Sequence, residues 1–227
     1  MATKSGGGRP QAYKLASGVR VPGVTTIVGR WKDSGGLIHW AWQQGIDGKN
    51  YRETRDNAAD AGGIAHDMIE ADILGKPAPA FPQSNPEHVA LALKALGAFQ
   101  TWRDQVKLEI LETEVALISE QHRFGGTFDA LALVAGKAVL LDWKTSNGVY
   151  GDYIAQVAAY RQLLRERAMR IPGATVPEGA QLLRFGKEFG DFHAHYYPSE
   201  VLDMGWRFFE LGREMYDIDA IIKTVAA

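Results

Sequence analysis

The chain contains no cysteine. That absence removes disulfides, thiolate-bound zinc, iron–sulfur clusters and cysteine nucleophiles together, so any metal must be held by oxygen or imidazole. Charge of one sign is not in excess either: 25 Lys and Arg stand against 27 Asp and Glu, a formal net charge of −2. A nucleic-acid-binding surface must therefore be a local patch and not a property of the whole chain. No stretch approaches the roughly 18 apolar residues of a membrane-spanning helix, and the opening MATKSGGGRP lacks the apolar core of a signal peptide. The expectation is a soluble intracellular protein, cytoplasmic in a bacterial or phage-infected host, with no membrane partner.

What is present is enough for one sizeable core: 227 residues, 46% of them hydrophobic. Residues 1–12 read as a flexible tail, because three consecutive glycines, Ser5 and Pro10 cannot repay the entropy of ordering. Residues 13–227 read as a single domain, helical over 13–108 and carrying the sheet and the chemistry over 109–227. A small hairpin is expected between Tyr13 and Val21, followed by a short helix capped by Thr25 or Thr26. Helical periodicity then marks residues 35–48 (Leu37, Trp40, Ala41, Gln44), 57–74 (Ile64, Met68, Ile69, Ile73) and 87–106 (Val89, Leu93, Leu96, Phe99, Trp102). From Glu109 the period becomes strand-like: 109–119, 126–134 and 137–143, with Ala135-Gly136 as a tight turn between the last two. A helix over 151–170, strands near 181–185 and 192–197, and a helix from Ser199 to about Thr224 complete an α/β or α+β order.

The densest signal is GGTFDALALVAGKAVLLDWKTS, residues 125–146. Residues 138–141 form an unbroken apolar run, as in a strand covered on both faces, and the run stops at Asp142-Trp143-Lys144. Strand alternation points Asp142 and Lys144 to one face, about 7 Å apart along the strand. The turn at 135–136 lets Asp129 approach Asp142 from the partner strand. Two carboxylates held together in a partly buried place repel unless a cation lies between them, which asks for a divalent ion; oxygen ligation selects Mg²⁺ or Mn²⁺. Lys144 on the same face is placed to orient or deprotonate a water and to offset phosphate charge. The plain alternative is a solvated strand-end pair beside an ordinary turn aspartate, since D-x-K alone is common by chance.

Gly126-Thr127-Phe128-Asp129, then Leu141-Asp142-Trp143-Lys144-Thr145, then Gln156-Val157-Ala158-Ala159-Tyr160 resembles the PD-(D/E)XK nuclease superfamily. The likeness is greatest to its RecB-like exonuclease branch, which includes the mitochondrial genome maintenance exonuclease and related phage exonucleases. Val21-Pro22-Gly23-Val24-Thr25-Thr26, Trp40-Ala41-Trp42 and Gly63-Ile64-Ala65-His66 match the same branch, and the resemblance runs from about residue 20 to about 165. It implies a restriction-endonuclease-like α/β fold, a central mixed sheet flanked by helices with an N-terminal helical region. It implies Mg²⁺- or Mn²⁺-dependent hydrolysis of DNA phosphodiesters at single strands or free ends, in replication, recombination or repair. By the same resemblance Asp129 and Asp142 are metal ligands, the Trp143 carbonyl a third, and Lys144 the catalytic lysine. His66 matches a histidine that this branch adds at or near the metal; otherwise it is a helix histidine paired with Glu70. Gln156 and Tyr160 share a helix face set against the active site, or one that merely packs. Glu114 reaches the metal through water or is an exposed strand residue. Iron–sulfur members of the group need cysteines that this chain lacks.

Arg161, Arg165, Arg167 and Arg170, with Arg30, Lys32, Lys49, Arg52 and Arg55, are candidates to track phosphates. Trp31, Trp40, Trp42 and Tyr51 are candidates to stack on unpaired bases. The alternative is that the arginines line solvated helix faces and the tryptophans belong to the core. An exonuclease, an endonuclease on the same fold and an inactive nucleic-acid-binding module all remain compatible with these residues.

Overall fold

The computed structural model describes residues 12–32, 35–146, 148–185 and 191–226, leaving aside the side chains of 57–59. Its centre is the hairpin of β4 (Phe124–Val134) and β5 (Lys137–Thr145). Ala135 and Gly136 both take positive φ, 50° and 80°, the left-handed pair that a two-residue hairpin turn requires. β3 (Glu109–Ser119) pairs antiparallel with β4 on the outer side. The helix over 151–170, here α5 (Gly151–Arg170), forms the crossover that lets β6 (Gly179–Phe185) lie parallel to β5. β7 (Phe192–Pro198) returns antiparallel to β6, so the order is β3-β4-β5-β6-β7 in one mixed sheet.

Both faces of this sheet are covered, which is why the run at 138–141 is continuously apolar. On one face α1 (Val24–Trp31), α5 and α6 (Ser199–Val225) pack around Phe124, Phe128, Leu131, Leu140 and Leu182. On the other, α3 (Tyr51–Ile73) and α4 (Pro86–Gln105) bury Ile64, Met68, Ile69, Ala92 and Phe99 against Leu141, Trp143 and Leu183. The N-terminal helices are thus divided between the two faces, α1 joining the C-terminal half of the chain. A small two-stranded sheet, β1 (Tyr13–Lys14) with β2 (Arg20–Val21), sits at the end of β4. The restriction-endonuclease-like mixed sheet expected from the resemblance is the one observed.

Several local expectations are corrected. Gly23 occupies the N-cap of α1, and Thr25 and Thr26 lie inside the helix. α3 begins six residues earlier than its apolar period, at Tyr51, because the Asn50 side chain accepts from the Arg52 amide and caps it there. In α4 the buried residues are Ala92, Ala95 and Phe99, while Leu93 is exposed. α2 (Gly35–Ile46) forms, yet buries nothing: Leu37, Ile38, Trp42 and Ile46 are all exposed. The expected flexible tail lies outside the described residues except for Ala12.

Candidate metal centre

The ladder between β4 and β5 runs from Val134↔Lys137 to Ala130↔Leu141 and ends there. The next residues in each strand are Asp129 and Asp142. Beyond them β4 stays paired with β3, through Phe124↔Ser119, while β5 stays paired with β6, through Thr145↔Phe185. The sheet splits, and the two aspartates stand at the fork. The amide of Trp143, left without a β4 backbone partner, donates instead to Asp129 Oδ2 at 2.8 Å.

Backbone geometry on β3 accompanies this fork. Glu114 lies opposite Asp129, between Thr113↔Ala130 and Val115↔Phe128, and has φ 52°, a sparsely allowed conformation for a residue with a Cβ. The alternation of β4 breaks at the same level: Phe128 enters the α5-side core and Ala130 the α3-side core, two residues apart. The irregularity swings Asp129 out of the regular pleat toward the split. A nitrogen of His66, an oxygen of Glu114 and an oxygen of Asp129 all lie within 4.8 Å of one another, close enough to share a metal ion. His66 Nε2 is 3.9 Å from Asp129 Oδ2. His66 comes from α3, on the opposite face from α5, so the site is reached through the split from both sides of the sheet. Gly62, one turn before His66, makes this approach possible: a Cβ there would stand 2.4 Å from Thr145 Oγ1.

On the α5 side, Lys144 Nζ lies 2.5 Å from Asp142 Oδ2 and donates to Gln156 Oε1 at 3.1 Å. Gln156 Nε2 in turn donates to the Tyr160 hydroxyl at 3.0 Å. Gly126 admits Tyr160, since a Cβ at that position would meet its ring at 2.6 Å. Tyr153 places its ring 5.0 Å from the Lys144 ammonium. Sequence reasoning missed Tyr153, although its position three residues before Gln156 puts it on the same helix face.

The electrostatics follow from crowding anions in a confined place. Burial, then the charge of Asp142, raises the Asp129 carboxyl well above the usual carboxylate range; Glu114 adds to the effect, while Lys144 and the Trp143 amide oppose it. Burial disfavours the charged Lys144, but Asp142 and Asp129 outweigh it and hold the ammonium above the ordinary lysine value. Burial and the same two carboxylates push the Tyr160 hydroxyl well upward. Asp142 itself is 1% exposed; its Oδ2 is held by the Lys144 ammonium, and its Oδ1 has no hydrogen-bond partner among the described residues. The ammonium engages Oδ2 alone and leaves Oδ1 unsatisfied, an arrangement that a cation bound between the carboxylates would complete.

The model of the PD-(D/E)XK nuclease superfamily matches residues 10–212. The chain belongs to that superfamily. No curated protein matches it. Among solved structures, a candidate exonuclease from Eubacterium rectale aligns at 14% identity and TM-score 0.45, covering 83% of this chain and 69% of its own. LHK-Exo, an alkaline exonuclease from Laribacter hongkongensis solved in complex with dAMP, aligns at 14% identity and TM-score 0.32, covering 73% of this chain and 91% of its own. Membership rests on the family model, not on these distant likenesses. His66, Glu114, Asp129, Asp142, Lys144, Gln156 and Tyr160 are therefore gathered at one place in a member of a nuclease superfamily, whose enzymes generally use divalent metals.

Several surface candidates are used by the fold itself. Arg161 is buried and bonds Asp203 and Ser199, and Arg167 makes a two-pronged pair with Glu112. Arg165 reaches Asp203, Arg170 pairs with Glu166, and Arg30 pairs with Asp219. Trp31 donates its indole N–H to the Gly212 carbonyl and is a packing residue. Trp42 is exposed and Tyr51 is at the margin of exposure. No helix among the described residues is long and apolar enough to cross a membrane.

Proposed function

We propose that this protein is a divalent-metal-dependent exonuclease that hydrolyses DNA phosphodiesters at single-stranded or free ends. The observation that carries the reading is Asp142: an almost fully buried carboxylate whose Oδ2 meets only the Lys144 ammonium and whose Oδ1 has no hydrogen-bond partner among the described residues, beside a second carboxylate of raised pKa. His66, Glu114 and Asp129, whose ligand atoms lie within 4.8 Å of one another, would hold the ion together with Asp142 and the Trp143 carbonyl across the fork; their oxygen-rich chemistry favours Mg²⁺ or Mn²⁺. Such an ion supplies Lewis-acid polarisation of the phosphoryl oxygen and acidifies a bound water.

The chain's own residues supply the rest. Lys144, fixed between Asp142 and Gln156, presents a full positive charge toward the fork of the sheet, where it offsets charge on the phosphate and orients the attacking water. Gln156 holds that ammonium in place, and Tyr160 holds Gln156. Exposed Trp42 and Tyr51, with Lys49, Arg52 and Arg55 nearby in sequence, offer stacking and phosphate contacts for an unpaired strand. The exonuclease branch is supported by the His66 motif, the Trp40-Ala41-Trp42 segment and the Gln156/Tyr160 pair, and a role in replication, recombination or repair follows from the same likeness. Incubation with circular and linear single-stranded DNA and Mg²⁺ tests the reading. Loss of the linear substrate with an intact circle is expected; cutting of the circle would establish an endonuclease, and cutting of neither a binding module.

A further inference from the structure

The last helix carries an apolar face that the described fold leaves uncovered. α6 buries Leu202, Gly205, Phe209, Gly212 and Arg213 against its own body. Elsewhere around the helix, Met204, Phe208, Leu211, Met215, Ile218 and Ile222 recur at strictly alternating steps of four and three residues, and Val225 continues the series. All seven are exposed, from 42% at Leu211 to 83% at Val225. A solvent-facing helix surface is ordinarily polar. A 4-3 repeat over seven positions is the signature of a helix lying along another helix, because it averages 3.5 residues per turn.

The second half of the helix sharpens the point. None of residues 214–226 is buried; this part of the 27-residue helix touches its own body through Tyr216, which packs against the core, and Asp219, which pairs with Arg30. That support lies on one face only and leaves the apolar stripe on the other side of the helix uncovered. The seven exposed residues together present several hundred Å² of surface, beyond the roughly 300–600 Å² of the largest apolar patch on a typical monomer. That area is close to the ~800 Å² that each partner contributes to a standard stable interface.

We propose that α6 is a dimerisation helix, its apolar stripe packed antiparallel against the same stripe of a second copy of this chain about a two-fold axis. The area available on one copy is what an isologous interface needs. The charges flanking the stripe, Arg207 and Glu214 on one side, are of mixed sign, so they do not select a partner of opposite charge. Antiparallel packing lays the less buried C-terminal half of each helix along the more deeply packed N-terminal half of the other. Met204 then faces Ile222 of the second copy, Phe208 faces Ile218, and Leu211 faces Met215. The axis passes beside residue 213, which brings Glu214 near Glu214 of the second copy. This inference is independent of the nuclease reading.

Sedimentation velocity on the intact protein tests it. The expected mass is twice 24.9 kDa at concentrations of about 10–100 µM. The double variant Met215→Glu/Ile218→Glu should sediment as a monomer with unchanged circular dichroism and unchanged cleavage of linear DNA, because both side chains already face solvent in the isolated fold. In a chain without cysteine, Glu214→Cys should give a covalent dimer with a short thiol-specific bifunctional cross-linker. A parent that is monomeric throughout, or a dimer untouched by the double substitution, overturns the proposal. A dimer that Glu214→Cys does not cross-link overturns its antiparallel form.

Discussion

At Asp142 and Lys144, two residues apart on one strand, opposite charges 2.5 Å apart are buried together at a place where the sheet divides. The proposed function gives the two side chains separable roles. Asp142→Asn removes an anionic ligand and also relieves repulsion toward phosphate, so cleavage should vanish while DNA binding is kept or tightened. Activity within about tenfold of the parent, a barrier change of only ~1.4 kcal/mol, would contradict the metal-site assignment. Lys144→Ala should instead lower single-turnover cleavage by roughly 10²–10⁴-fold, the range of a positioned electrostatic or proton-transfer group. Its affinity for Ca²⁺ or Mn²⁺, measured by calorimetry, should be unchanged or slightly higher, since an ammonium is not a ligand. Lys144→Arg should rescue poorly, because a rigid guanidinium fork does not fit between Asp142 and Gln156. Loss of metal binding in Lys144→Ala as complete as in Asp142→Asn would show that the lysine acts on the metal site and not on the chemistry.

At the scale of elements, the fork between β4 and β5 is what turns strand residues into a site. Opposite Asp129 at this level stands Glu114, whose positive φ is unfavourable for any residue with a Cβ and easy for glycine. Glu114→Gly therefore separates the two functions of the position. Thermal stability should hold or rise by a degree or two, corresponding to about 0.5 kcal/mol of relieved backbone strain, while affinity for divalent metal falls. A variant that loses stability and keeps metal affinity would make Glu114 a structural strand residue. The helices contribute by close approach: α3 reaches the site over Gly62, and α5 brings Tyr160 against Gly126. Placing β3, β4, β5 and α5 required only periodicity and one turn. The fork was not visible, because each strand stays paired on its other side, β4 to β3 and β5 to β6, and the loss of pairing between them leaves no periodic signal in the chain.

For the molecule as a whole, the cluster of anions at the fork sets a dependence of stability on pH. Asp129 has a raised pKa in the folded chain, so between the ordinary carboxylate range and that raised value the folded state holds a proton that the unfolded state has lost. Stability must fall as pH rises through this window, and a bound cation should reverse the loss. In the presence of a chelator, the Tm of Asp129→Asn should therefore move upward relative to the parent as pH increases from the ordinary carboxylate range. Adding Mg²⁺ should raise the parent's Tm and leave the variant's nearly unchanged. A Tm difference independent of pH, or equal stabilisation of both by Mg²⁺, would remove Asp129 from the cation site.

The sequence by itself determined the elements and which polar side chains share a face. The apolar run at 138–141 ending in Asp142-Trp143-Lys144, the turn at Ala135-Gly136, the helix over 151–170 with Gln156 and Tyr160 on one face, and the absence of cysteine are all local properties. Side-chain period and turn chemistry depend on neighbours in the chain, so they can be read from it. Only the tertiary structure decided which surfaces meet. It set α1 beside α5 and α6 instead of beside α2, α3 and α4, tied Arg161 and Arg167 into the fold, left α2 and the outer stripe of α6 uncovered, and brought His66 through the split sheet to Glu114 and Asp129. Those outcomes rest on contacts between residues tens of positions apart, and an amphipathic period specifies that a face be buried without specifying against what.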